Sequence, residues 1–327
     1  MERRTFLGVV AGGLLTAPLA AQAQQAGKVY RLGILSPTAP PAPSDRAVIS
    51  LLVPAVLREM GYVEGQNLVV ERRYADNQFA RLPDLARQLV ERRMDVILAV
   101  GNDAPGAARD VSTTIPIVML GRDPVKLGYV ASLARPGGNI TGVVISETGL
   151  ADKRLELLRE AVPTATRIAL LASGDIGIKG QVQEAERAAA SLGLTLLVVD
   201  VRNRDYESAF AKIAADRANA LFVPSSPILN VDRKQIIALA AKRRLPAIYQ
   251  WREHAAEGGL MAYGSNLSLL SRQVASYIDR IFKGANPAEL PLEQPTAYEL
   301  TINLRTAKAL GLTIPPSLLQ RADQVIE

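Results

Sequence analysis

Short, continuously apolar runs alternate with stretches of helical spacing along this chain, and the rhythm is written out twice. The runs are 29–35, 68–71, 95–100 and 115–120, then 167–172, 194–200, 220–223 and 247–249. They are rich in Val, Ile and Leu and do not alternate with polar residues, which is how parallel strands covered on both faces read. Between them, Leu82, Leu85, Ala86, Leu89 and Val90 fall on one helical face, as do Leu155 and Leu158 after Asp152, and Val182, Ala185, Ala189 and Leu192 after Gly180. A β-α-β-α succession requires right-handed crossovers and therefore a doubly wound sheet. The pattern predicts an α/β protein of two Rossmann-like lobes with parallel sheets. The stretch 121–146, rich in glycine and proline, reads as a connection and not as another βα unit.

After Tyr249 the rhythm changes. Residues 258–266 read as a strand ending in a turn and 268–283 as a long helix. Residues 290–303 read as an extended segment in which Pro291 and Pro295 exclude an uninterrupted helix. The tail is expected to add a strand and a helix to the first lobe and then return to the second. The first lobe is thus expected over 28–146 plus 259–290 and the second over 147–258 plus 291–327, with several chain crossings forming a hinge.

Composition removes whole classes of chemistry. There is no cysteine, so no disulfide framework, thiolate metal site or cysteine nucleophile, and the single histidine, His254, excludes a site needing two imidazoles. No cofactor or metal is expected. The net charge of +6 and a pI near 9.6 invite a nucleic-acid reading. The distribution argues against it: basic residues come in pairs such as Arg72-Arg73, Arg92-Arg93 and Arg243-Arg244, interleaved with acids, with no long basic run.

The first residues form an address. Arg3 and Arg4 precede an apolar stretch over 6–19, and Ala21-Gln22-Ala23 is an A-x-A cleavage pattern. An export signal is therefore expected over 1–23; the alternative is a retained anchor, for which the apolar stretch is short and broken by Gly8, Gly12, Gly13 and Pro18. Arg3 to Leu7 also fits the twin-arginine pattern, which leaves both the Sec and the Tat route open. With no cysteine to carry a lipid, the expected location is periplasmic.

The segments GYVEGQNL, RLPDLARQLV, STTIPIV, DPVKLGYVASLARPGGNITG, KRLELL, AAEGGLMAYG, EQPTAYELTINLRTAKALGLTIPPSLL and RADQVIE, in this order, resemble the ABC transporter substrate-binding family whose better-known members are tryptophan- and tyrosine-type binding proteins. The resemblance spans the chain after its first segment. It implies a type I periplasmic-binding-protein fold with a hinge, three crossovers, and a small-molecule ligand in the cleft. It also implies an amino acid, aromatic at the family level, as that ligand, and an ABC permease with its cytoplasmic ATPase as partners. The membrane would be reached only through the permease. An enzyme is not expected: G-x-S-x-G and a Walker A loop are both absent. A periplasmic sensor that presents its solute to a membrane receptor is the alternative.

In open α/β sheets ligands bind beyond the carboxyl ends of the strands, where loops and helix N-termini offer N–H groups. This rule selects Ser36, Asn102, Asp103 and Asp123 in the first lobe. In the second it selects Ser173, Asp175, Ser225, Ser226, Tyr249 and Trp251, with Tyr263 ending the strand that crosses back. For a zwitterion, Ser36, Asn102, Ser225 and Ser226 suit a carboxylate, Asp103, Asp123 or Asp175 an ammonium group, and the aromatics an apolar body. Each has a plainer role open to it: capping for Ser225 and Ser226, a turn for Asp123, packing for Tyr249 and Trp251, and a structural place for His254.

Overall fold

The computed structural model describes residues 28–45, 47–145 and 149–327, so the expected export signal lies outside the described residues. The first four apolar runs become β1 (Tyr30–Ser36), β2 (Leu68–Tyr74), β3 (Val96–Val100) and β4 (Ile117–Gly121), with α1 (Ile49–Glu59), α2 (Leu82–Glu91) and α3 (Asp103–Val111) between them. A fifth strand, β5 (Ile140–Val144), completes a parallel sheet of order β2-β1-β3-β4-β5. The stretch expected to be only a connection thus supplies an edge strand. Its apolar ITGVV was masked by the turns before it, because residues 122–139 make the crossover without a helix.

The second lobe opens with α4 (Leu150–Ala161), β6 (Arg167–Ala172), α5 (Ile178–Ser191), β7 (Thr195–Asp200), α6 (Tyr206–Ala215) and β8 (Ala220–Phe222). It continues through α7 (Pro227–Val231), α8 (Arg233–Lys242), β9 (Ala247–Tyr249), α9 (Arg252–Ala256) and β10 (Met261–Ser265). Its parallel strands run β7-β6-β8-β9-β10, the same 2-1-3-4-5 order as the first lobe. The chain then gives α10 (Leu267–Phe282), β11 (Tyr298–Asn303), α11 (Leu304–Leu310), α12 (Pro316–Arg321) and β12 (Gln324–Ile326). Here β11 lies antiparallel to β10, and β12 closes that edge.

Two expected boundaries fall elsewhere. Met261–Ser265 falls within 259–290, the span expected in the first lobe, but it pairs with β9 and β11 in the second sheet. Only the helix after it, α10, joins the first lobe, where Leu270, Val274, Tyr277, Ile278 and Phe282 are buried in one cluster with Leu32, Val53, Leu57 and Leu98. Tyr30, Tyr62 and Phe282 stack there with ring centroids 4.5–5.2 Å apart. The return to the second lobe comes after Glu293 and not at 291, since Glu293 is tied to β5 through the Val144 N–H (2.8 Å) and the Gly142 carbonyl (3.1 Å). The chain therefore passes between lobes three times, after β5, after β10 and after Glu293.

One glycine fixes how the second lobe meets the cleft. A Cβ on Gly264 would stand 2.2 Å from the Gln250 carbonyl oxygen. Its absence lets the segment after β9 lie against β10, and that segment carries Trp251 into the space between the lobes.

Candidate functional site

Both sheets reverse strand order beside their first strand, and the crevices at these switch points face each other. Between them is a cavity of about 70 Å³, against the roughly 10–15 Å³ that one water needs on the same measure. It has room for a small solute and not for a macromolecule.

Its polar wall is a chain of hydrogen bonds across the lobes. Asn102, after β3, accepts through Oδ1 from the Arg122 N–H at 2.8 Å. Arg122, after β4 and 6 % exposed, donates from Nη2 to the Gly177 carbonyl of the other lobe at 3.2 Å. The Gly177 N–H donates to Asp175 Oδ1 at 3.1 Å, and Ser173 donates to Asp175 Oδ2 at 2.6 Å. Ser173 Oγ also lies 2.9 Å from Ser226 Oγ, and Ser226 caps α7 by accepting from the Ile228 N–H at 3.2 Å. A Cβ on Gly177 would stand 2.7 Å from Asn102 Nδ2, so glycine here permits the close approach of the lobes. Gln181, one turn into α5, brackets Ser225 by donating to its carbonyl at 2.7 Å and accepting from its N–H at 2.8 Å.

The other wall is apolar. Ile49, Val100, Leu120, Ile145, Trp251 and Leu267 line the cavity and belong to one continuous buried cluster. Trp251 comes from the second lobe and is 5 % exposed within a cluster otherwise built on the first.

At the edge of the cavity two carboxylates from opposite lobes approach each other. Asp103 opens α3 and accepts from the Ile176 N–H at 3.3 Å. Burial first, and then the Asp175 charge, push its carboxyl up to about 6, although the Ile176 N–H pulls the other way. A cation placed between them would relieve both effects.

Of the residues expected from sequence, Ser36, Asn102, Asp175, Ser225, Ser226 and Trp251 line this cavity. Asp103 stands at its edge, and Ser173 is buried behind Asp175. Three lie elsewhere. Asp123 faces a neighbouring groove with Lys126 and Glu184, because the backbone turns to a φ of 50° just after Arg122. Tyr249 points into the core between β9 and α9, with its ring 5.4 Å from that of His254. Tyr263 sits in the middle of β10 and not at its end, packing on the opposite face beside Tyr298 at 6.2 Å; Leu267 takes the position past the strand. Arg122, Gln181, Asn230 and Ile49 line the cavity and were not among the candidates. Arg122 was within reach of the strand-end rule, as it directly follows β4.

Paired doubly wound lobes that close on a small cavity define a two-lobed binding protein of the type I periplasmic kind. The sequence profile described as ABC transporter substrate binding protein matches residues 52–326, and the chain belongs to that family. The family's proteins are ligand-binding transport proteins that bind a small molecule outside the cytoplasm and work with an ABC permease. Among described residues no helix is long and apolar enough to cross a membrane. The chain is 24% identical over 258 residues to a tyrosine-binding protein of Clostridioides difficile (strain R20291), covering 78% of this chain and 74% of that one. An ABC domain from Streptococcus pneumoniae in complex with L-Trp matches with a TM-score of 0.79 at 24% identity, covering 91% and 99% of the two chains. The ligand-free, open structure of a substrate binding protein with adhesive properties from Clostridium difficile matches at 0.60 and 22%, covering 91% and 99%.

Proposed function

We propose that this chain is the extracytoplasmic solute-binding component of an ABC importer, that its solute is an amino acid with an apolar or aromatic side chain, and that it releases this solute unchanged to the permease. The observation that carries the reading is the division of the cavity: a charged, hydrogen-bonding wall with Arg122 and Asp175 faces a continuous apolar wall with Ile49, Trp251 and Leu267. The guanidinium of Arg122 suits a carboxylate, and Asp175 with Asp103 suits an ammonium group, each such charge-assisted bond contributing about 1.5–3 kcal/mol. The apolar wall suits the side chain, with aromatic contact adding about 0.5–1.5 kcal/mol. A tyrosine-binding relative and an L-Trp complex support this choice of solute class. Release unchanged agrees with the place of His254, which is 3% exposed, does not line the cavity, and is held down to about 3 by burial and by the nearby charges of Arg233 and Arg154. Titration calorimetry and thermal unfolding with L-tyrosine, L-tryptophan, L-phenylalanine and L-leucine test the reading. Saturable 1:1 binding of at least one, with a raised melting temperature and the same molecule recovered afterwards, is the expected result. Binding of none, or recovery of an altered molecule, would sink it.

A further inference from the structure

Away from the polar wall, the lobes are joined a second time, at the turn between α7 and α8. Arg233 opens α8 and is only 2% exposed. It reaches out of the second lobe and grips Asp45 of the first with both terminal nitrogens, at 2.7 and 2.9 Å. The same guanidinium holds Glu257 of its own lobe at 2.7 Å and donates to the Asn230 carbonyl at 3.0 Å. Three residues earlier, Asn230 donates from Nδ2 to the Ala47 carbonyl of the first lobe at 2.6 Å. Next to Arg233, Asp232 holds Arg204, which stands 3.9 Å from Asp76 of the first lobe. One short turn thus sends two polar contacts across the gap and supports a third, from Arg204.

His254 sets the direction of one of them. Its Nε2 is 2.9 Å from Asn230 Oδ1, and its Nδ1 has no partner. A neutral ring with the proton on Nε2 therefore donates to Oδ1 and turns the Asn230 amide so that its NH₂ faces Ala47. The segment held this way leads directly into Val48, Ile49 and Ser50, which line the cavity.

We infer that Arg233, with Asn230 oriented by His254, is a closure latch: it captures Asp45 and Ala47 of the first lobe and fixes how long the protein stays shut on its solute, with Arg233 itself outside the cavity that Asn230 helps to line. The latch rests on the closing of the lobes and is independent of which solute is bound. Opening exposes Asp45 and Arg233 to water, whereas closing pairs them, so the contact biases the population of closed molecules. The apparent dissociation constant scales inversely with that population, so losing the latch weakens every solute by one common factor.

The absence of native cysteine permits a clean test. Spin labels at Glu91→Cys and Glu186→Cys, exposed positions on opposite lobes, report the interlobe distance with and without L-tyrosine. The original chain is expected to show a short-distance population that Arg233→Gln reduces at least tenfold and Arg233→Lys restores in part, since one ammonium cannot grip Asp45 with two nitrogens. Asp45→Asn gives a second measure if Arg233→Gln fails to fold by circular dichroism. An original chain with no short-distance population in either condition, or one that persists unchanged in the folded variants, overturns the latch. If L-tyrosine fails to bind by calorimetry while the solute-free distances still respond to Arg233, the proposed solute class falls and the latch stands.

Discussion

The two places where the lobes meet differ in kind. At the cavity the contacts are single and long, 3.2 Å from Arg122 to Gly177 and 3.3 Å from Ile176 to Asp103, and they bring the carboxylates of Asp103 and Asp175 together. At the α7–α8 turn a buried guanidinium meets a carboxylate through two bonds, and an amide adds a third at 2.6 Å. The contrast separates two tasks. The cavity contacts leave a charge repulsion that a bound cation relieves, so they favour closure around the right solute. The turn brings its own guanidinium to its own carboxylates, Asp45 and Glu257, so it holds the lobes whatever they enclose.

Four measurements break or sharpen this contrast, beginning with the largest effect. Arg122→Ala should weaken L-tyrosine binding by roughly a hundredfold or more, as expected when one side of a buried charge pair is removed, yet leave the solute-free interlobe distance near that of the original chain. A shift in that distance as large as the one from Arg233→Gln would erase the distinction. Asp175→Asn keeps the shape of the polar wall but loses its charge, and calorimetry should show about a tenfold to hundredfold loss for L-tyrosine.

The third concerns pH. Burial and the Asp175 charge push the Asp103 carboxyl up to about 6 against an ordinary value of 3.8. Because the raised value penalises the charged form, solute-free closure is favoured at low pH and loses stability as pH rises from about 4 through 6. An ammonium group favours the ionised form, so affinity for an amino acid should rise severalfold over the same window and level off above it. Asp103→Asn should flatten the profile; a slope that survives that change would place the titration elsewhere. The smallest effect is Ser226→Ala, which removes the α7 cap and should cost about 1 kcal/mol in urea unfolding, with only a few-fold change in binding.

The doubly wound lobes were legible in the sequence because buried parallel strands leave unbroken apolar runs, and nothing else in an α/β chain produces them so regularly. β5 was harder to see because its five residues follow a long irregular loop and no helix announces them. In the site, the strand-end rule reached Asn102, Asp175, Ser225 and Ser226 because short loops after parallel strands have few other places to point. It missed Gln181 and Asn230, which reach the cavity from within helices, where a polar side chain looks like any solvated one. It misplaced Tyr249 and Tyr263 because residues within a strand face the two sides of the sheet, and only those past its end face the crevice. The partnership of Arg233 with Asp45 spans 188 residues and left no local trace.

The route of α10 bears on how the molecule is built. Leu270, Val274, Tyr277, Ile278 and Phe282 pack with residues from β1, α1 and β3, yet they are translated some two hundred positions later. A ribosome that has released only the first half of this chain has made five strands with only α1 to cover the side on which α10 later packs. Contacts of such long sequence separation close slowly and leave intermediates sticky. The earlier half is therefore expected to stay incompletely packed until α10 emerges, and a fragment ending at 145 should show a weaker, less cooperative urea unfolding transition by circular dichroism than the full chain.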